Sequence, residues 1–77
     1  MNIARLEKRD PAKNMPRSYR IWVTPTLFSG YAVVREWGRI GSPGTVREAW
    51  YESEDEALQD GLDLCRRKER RGYKPPA

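Results

Sequence analysis

A chain of 77 residues with 38% hydrophobic and 34% charged side chains has room for one thin, two-layer domain and excludes a large enclosed active site. Three Trp, four Tyr and one Phe supply much of the burial, and the net charge of +4 leaves acidic ligands and partners open. No histidine and a lone cysteine, Cys65, exclude an internal disulfide, a zinc site and the histidine-based acid–base and nucleophile devices of most hydrolases.

In chain order, Ile3 to Arg9 reads as a first strand, and the connector Asp10 to Pro16 holds two prolines that break any regular element. Arg17 to Val23 is a stronger strand, rich in β-branched and aromatic residues at Tyr19, Ile21, Trp22 and Val23. Thr24 to Gly30 turns the chain into a third strand, Tyr31 to Ile40. Gly41-Ser42-Pro43-Gly44 then makes a compact hairpin loop before a fourth strand, Thr45 to Glu52.

Ser53-Glu54-Asp55-Glu56 is a capping box, so a helix begins there. Ala57, Leu58, Gly61, Leu62 and Cys65 form an apolar stripe at helical spacing, with Leu64 at its edge. Gly72 stops the helix and Pro75-Pro76 prevents its resumption, which leaves 73–77 as a frayed tail. Charge is segregated along the chain: residues 1–51 carry +5, residues 52–63 carry −6 and residues 64–77 carry +5. The last two blocks match the dipole at the two ends of the helix. Arg66, Arg67, Lys68, Arg70 and Arg71 serve that role first, and a second phosphate contact next. The acidic group Glu54, Asp55, Glu56, Asp60 and Asp63 lacks the ligand order of a calcium loop. The predicted architecture is α+β: an antiparallel sheet of four or five strands with one C-terminal helix packed across one face.

Alternation along the third strand puts Tyr31, Val33, Arg35, Trp37 and Arg39 on one face and Ala32, Val34, Glu36 and Gly38 on the other. Small residues admit a helix and buried arginines are costly, so the helix is expected over Ala32 and Val34. Register with the fourth strand stays open, because a slip of one residue exchanges Arg47 for Glu48 beside Trp37-Gly38-Arg39. Trp37 is either a packing aromatic or a stacking surface. Arg20, Arg35 and Arg47 are either solvated strand residues or a positive track beside it. Gly38 and Gly41 serve backbone geometry, through a bulge or the close approach of another segment. Cys65 reads as a small buried hydrophobe.

The run Tyr31, Arg35, Trp37-Gly38-Arg39-Ile40-Gly41 and Gly44, with Trp50-Tyr51, the acidic helix start and Arg71-Gly72-Tyr73, resembles the WGR domain from about Ile3 onward. That module is named for the triplet and is best known from poly(ADP-ribose) polymerases, with stand-alone bacterial members. In the polymerases the Trp packs against a sugar at a DNA break terminus and the Arg joins contacts to neighbouring domains. The resemblance implies that Trp37 stacks on a terminal nucleotide and that Arg39 holds a phosphate or a partner carboxylate through its planar fork. These 77 residues include no zinc fingers, regulatory helical domain or transferase fold, so activation of a catalytic domain is not implied.

The expectation is a single WGR-like domain over 1–77, without catalytic activity, cofactor or metal. It would bind DNA, or RNA, at ends or breaks through Trp37, Gly38, Arg39, Arg35, Arg20 and Arg47. The alternative is a protein–protein adaptor in which Trp37 is a hydrophobic anchor and Arg39 pairs with an acid of the partner. Salt separates them, since only the first should weaken steeply with ionic strength. No signal peptide or membrane-spanning run is visible, so a cytoplasmic monomer is expected.

Overall fold

The computed structural model describes residues 1–9 and 16–76. Four strands, β1 (Asn2–Lys8), β2 (Arg17–Pro25), β3 (Tyr31–Arg39) and β4 (Thr45–Tyr51), precede one helix, α1 (Glu54–Arg70). The strands pair in chain order, each antiparallel to the next, as an open meander with β1 and β4 at its edges. Most of the predicted proline-containing connector lies outside the described residues.

β2 and β3 form the longest hairpin, in continuous register from Arg17 opposite Arg39 to Pro25 opposite Tyr31. Alternation along it sorts the side chains. Tyr19, Ile21 and Val23 of β2 share a face with Val33 of β3 and Leu6 of β1, and all five are buried. Ala57 and Leu64 of α1 complete the cluster. Burying each of the larger members contributes roughly 1.5–3 kcal/mol relative to exposure, so this face holds the layers together.

The helix therefore covers the Val33 face and not, as expected from β3 alone, the Ala32/Val34 face. The correction comes from the neighbouring strands, because the large apolar residues of β1 and β2 in register with β3 lie on the odd-numbered side. Small residues on α1 provide the close approach instead: a Cβ added at Gly61 would lie 3.3 Å from Ile3 and 3.7 Å from Ile21. Ala32 and Val34 are also buried. Ala32 lies between Thr24 and Trp50 and Val34 between Trp22 and Glu48, so long cross-strand neighbours cover them on the helix-free face.

α1 begins as predicted. Ser53 is the N-cap, its hydroxyl accepting from the Glu56 N–H at 3.2 Å. The Ser53 hydroxyl in turn donates to a Glu56 carboxylate oxygen at 3.1 Å, so the box closes side chain to side chain. The buried stripe is Ala57, Gly61 and Leu64, flanked by Leu58 and Cys65, while Leu62 is exposed. Leu64 is thus central where the edge was expected.

The C-terminus is a Schellman turn. Gly72 has φ +96°, its N–H donates to Glu69 O at 3.0 Å, and the Tyr73 N–H donates to Lys68 O at 3.1 Å. Gly72 thereby swings Tyr73 back onto the sheet, where it is buried against the Tyr19 ring. Lys74 then exchanges two backbone hydrogen bonds with Glu7, at 2.7 and 2.8 Å. The tail expected to fray is docked through Lys74, adding a one-residue bridge outside β1 where a fifth strand was allowed for.

Candidate functional site

Trp37 lies at the end of the helix-covered face where α1 has already stopped. Its ring stacks on Tyr19, with centroids 5.8 Å apart and planes 19° from parallel, and Tyr73 meets the other aromatic edge-on at 5.9 Å. The stack leaves Trp37 half-buried, so part of the indole stays accessible. The Arg35 guanidinium sits over the indole at 5.4 Å. Such stacks and cation–π contacts each contribute about 0.5–1.5 kcal/mol, enough to hold the ring in one orientation.

Beside Trp37 opens a cleft of about 250 Å³ lined by Arg17, Trp37, Gly38, Arg39 and Tyr73. Arg17 and Arg39 are cross-strand partners and both are exposed. No acid lines the cleft, and neither arginine has a salt-bridge partner among the described residues. Gly38 supplies no contact surface of its own. A Cβ there would lie 3.2 Å from the Gly44 Cα, and one on Gly44 would lie 2.8 Å from the Trp37 carbonyl oxygen. The two glycines let the β3–β4 loop fold tightly behind the triplet.

A second groove, of about 390 Å³, runs between β4 and α1 and is lined by Arg35, Arg47 and Arg67 with Glu48 and Asp60 at its sides. The register left open by the sequence is Arg35 opposite Arg47 and Trp37 opposite Thr45. Arg47 therefore shares the face of the triplet. Lys68 continues the apolar stripe of α1, and its ammonium lies 4.6 Å from the Tyr19 ring centroid and 5.8 Å from that of Tyr73. Burial, then the positive charges of Arg71, Arg35 and Arg67, push its pKa down. The depression thus reflects burial first and the neighbouring cations second.

Arg20 lies away from Trp37 but lines, with Arg39, Glu7 and Glu36, a groove of about 470 Å³ on the other side of the sheet. It lies opposite Glu36 on the helix-free face, its guanidinium 4.8 Å from the Trp22 ring centroid. Of the three arginines read as solvated residues or a track beside Trp37, Arg20 lies on the opposite face from Arg35 and Arg47. Arg35, Trp37, Arg39 and Arg47 are brought together, with Arg17, Arg67, Lys68 and Tyr73 added. Arg17 could be found from sequence only with the β2–β3 register in hand. Tyr73 had a visible signal: it is the residue that follows the helix-stopping glycine, a position that normally packs back on the last turn. The Cys65 thiol, half-buried and 3.6 Å from a Glu69 carboxylate oxygen, is pushed up in pKa first by burial and then by that acid.

Comparison with known proteins accords with this geometry. The model of the WGR domain matches residues 3–77. The uncharacterized protein y4dW of Sinorhizobium fredii is 40% identical over 70 residues, which cover 91% of this chain and 34% of that protein. The chain thus spans about a third of the length of the curated relative it matches. No solved structure matches, and no helix among the described residues is long and apolar enough to cross a membrane. With the family model spanning nearly every residue, the chain belongs to the WGR domain family.

Proposed function

We propose that this domain is a non-catalytic nucleic-acid-binding module that engages DNA at a terminus or break. The cleft of Trp37 and Tyr73 would receive the terminal nucleotide, and Arg17 and Arg39 its phosphate. The observation that carries the reading is that two cross-strand arginines, Arg17 and Arg39, line one aromatic cleft that no acid lines. The WGR family is a family of nucleic-acid-binding modules, which supports the same class of ligand. Arg35, Arg47, Arg67 and Lys68 extend the positive surface along the β4–α1 groove, where a strand leaving the cleft would run.

Phosphate contacts of this kind act by releasing counterions, so affinity should fall steeply with salt. The half-buried indole would add an apolar contact to a sugar or base with little dependence on sequence. Trp37 is half-buried and in contact with both Tyr19 and Arg35, which weighs against its use as a freely inserting anchor in a partner's pocket.

The test is a titration of wild type and Arg39→Gln against linear duplex, nicked duplex, closed circle and single strands at two salt concentrations. The reading expects tighter binding to linear and nicked duplex than to the closed circle, lost in the variant. Equal binding to all four forms removes the terminus, and no binding above that of a scrambled basic peptide removes the ligand class.

A further inference from the structure

The end of the sheet opposite the Trp37 cleft carries a built hydrophobic tip that the proposed function does not use. At the β2–β3 turn Leu27 is 95% exposed and Phe28 is 82% exposed. Their display is fixed by hydrogen bonding within the turn: the Thr26 hydroxyl donates to Ser29 O at 2.6 Å and the Thr26 N–H donates to Gly30 O at 3.0 Å. Ser29 holds φ +71°, a left-handed conformation unfavourable for a residue with a Cβ. The base of the turn is seated against the end of β4, since a Cβ on Gly30 would lie 2.7 Å from the Tyr51 carbonyl oxygen and 3.8 Å from the Glu52 Cα. Two large apolar side chains are thus held in water on a rigid turn.

The charge around the tip identifies what it fits. Glu52 adjoins it, Glu54 and Asp55 follow on the first turn of α1, and none of the three has a salt-bridge partner among the described residues. The acids lie on the β4 side of the tip, while the Met1 ammonium, donating to the Val23 carbonyl at 2.6 Å, stands on its β1 side. The acidic flank favours an apolar pocket with a basic rim. This chain has such a pocket at its other end, where the Trp37–Tyr73 cleft is flanked by Arg17 and Arg39 and by the basic last turn of α1. The tip and the cleft are the two ends of one hairpin, about 26 Å apart at ~3.3 Å per strand residue. The molecule is 45 Å long and 17 Å thick, with its acids gathered at one end of α1 and its bases at the other.

We propose that copies of this domain associate head to tail, the Leu27–Phe28 tip of one seated in the Trp37–Tyr73 cleft of the next. The contact joins two different surfaces, so it does not close on itself and grows into open chains. Its small area makes it weak and dependent on concentration. It does not rest on the nucleic-acid reading, but both use the same cleft, so a bound DNA terminus would depolymerise the chains.

Two variants test the polarity. Leu27→Ser/Phe28→Ser removes the tip and keeps the cleft, whereas Arg17→Glu/Arg39→Glu reverses the rim and keeps the tip. These are exposed positions, and an unchanged thermal melt and dispersed amide spectrum show that each variant is folded. Isotope-labelled tip variant is mixed with unlabelled cleft variant at low salt and followed by amide shifts. The expected result is concentration-dependent shifts at Trp37, Gly38, Arg39 and Tyr73 in the mixture and none in either variant alone. Wild type should sediment faster as its concentration rises, and a short duplex should reverse this. The absence of shifts in the mixture overturns the proposal, as do shifts confined to Trp22 and Trp50 or undiminished association of the tip variant. Duplex titration of the tip variant separates the two readings, because nucleic-acid binding there is expected to equal that of wild type whether or not chains form.

Discussion

Arg17 stands directly opposite Arg39 on the neighbouring strand, and both residues line the aromatic cleft beside Trp37, which no acid lines. Like charges facing each other across a sheet are destabilising, which makes the pair a cost to the fold that an anion would offset. Arg39→Gln is therefore expected to leave thermal stability unchanged or raise it by a few tenths of a kcal/mol. The same change should weaken duplex binding by about 5–30-fold, the loss of one charge-assisted hydrogen-bonding group. It should also reduce the slope of log K against log salt by about one phosphate. Calorimetric melts beside salt-dependent titrations check both halves.

Arg20→Gln is the matched control. Arg20 is as basic as Arg39 but sits over Trp22 on the helix-free face. Binding should change less than twofold and the salt slope should stay the same, measured in the same titrations. An effect equal to that of Arg39→Gln would move the interface to the other side of the sheet.

Gly72→Ala tests how the fold builds the cleft. At φ +96° an alanine is strained by about 1 kcal/mol, and the Schellman turn that delivers Tyr73 is weakened with it. For a domain of this size the melting temperature should fall by about 4–8 °C per kcal/mol. Because Tyr73 lines the cleft, duplex affinity should fall as well, even at temperatures where the variant is fully folded.

The depressed Lys68 gives a signed pH dependence. Its folded pKa lies below the ordinary lysine value, so between those two values the unfolded chain binds more protons than the native one. Stability carried by this group therefore rises as pH climbs through that window and is absent below it. Lys68→Met should remove the rise and leave the domain at least as stable near neutral pH, as read by denaturant melts from pH 7 to 11. A steeper rise in the variant would contradict the assignment.

The elements were legible in the sequence because each carries a local signal: β-branched and aromatic runs for β2 and β3, Ser53 with Glu56 for the start of α1, Gly72 for its end. The face that α1 covers was not. Read alone, β3 presents Ala32 and Val34 as the obvious helix seat, and only the register with Tyr19, Ile21 and Leu6 reveals which side accumulates bulk. The same missing register left open which side of the sheet Arg20 occupies and passed over Arg17. Trp37 and Arg39 stood out because the triplet is contiguous, whereas Tyr73 and Lys68 join them only after a 17-residue helix has returned the chain to the far end of the sheet.

The central claim is that nucleic acid is met on the helix-side end of the sheet, by Trp37, Arg39 and Arg17. Amide and indole chemical-shift mapping during titration with a short blunt duplex tests it most directly. The account predicts saturable shifts at Arg17, Trp37, Gly38, Arg39 and Tyr73, with smaller ones at Arg47 and Arg67 and none at Arg20, Trp22 or Trp50. Shifts concentrated on Trp22 and Trp50, with the Trp37 indole unmoved, would contradict it.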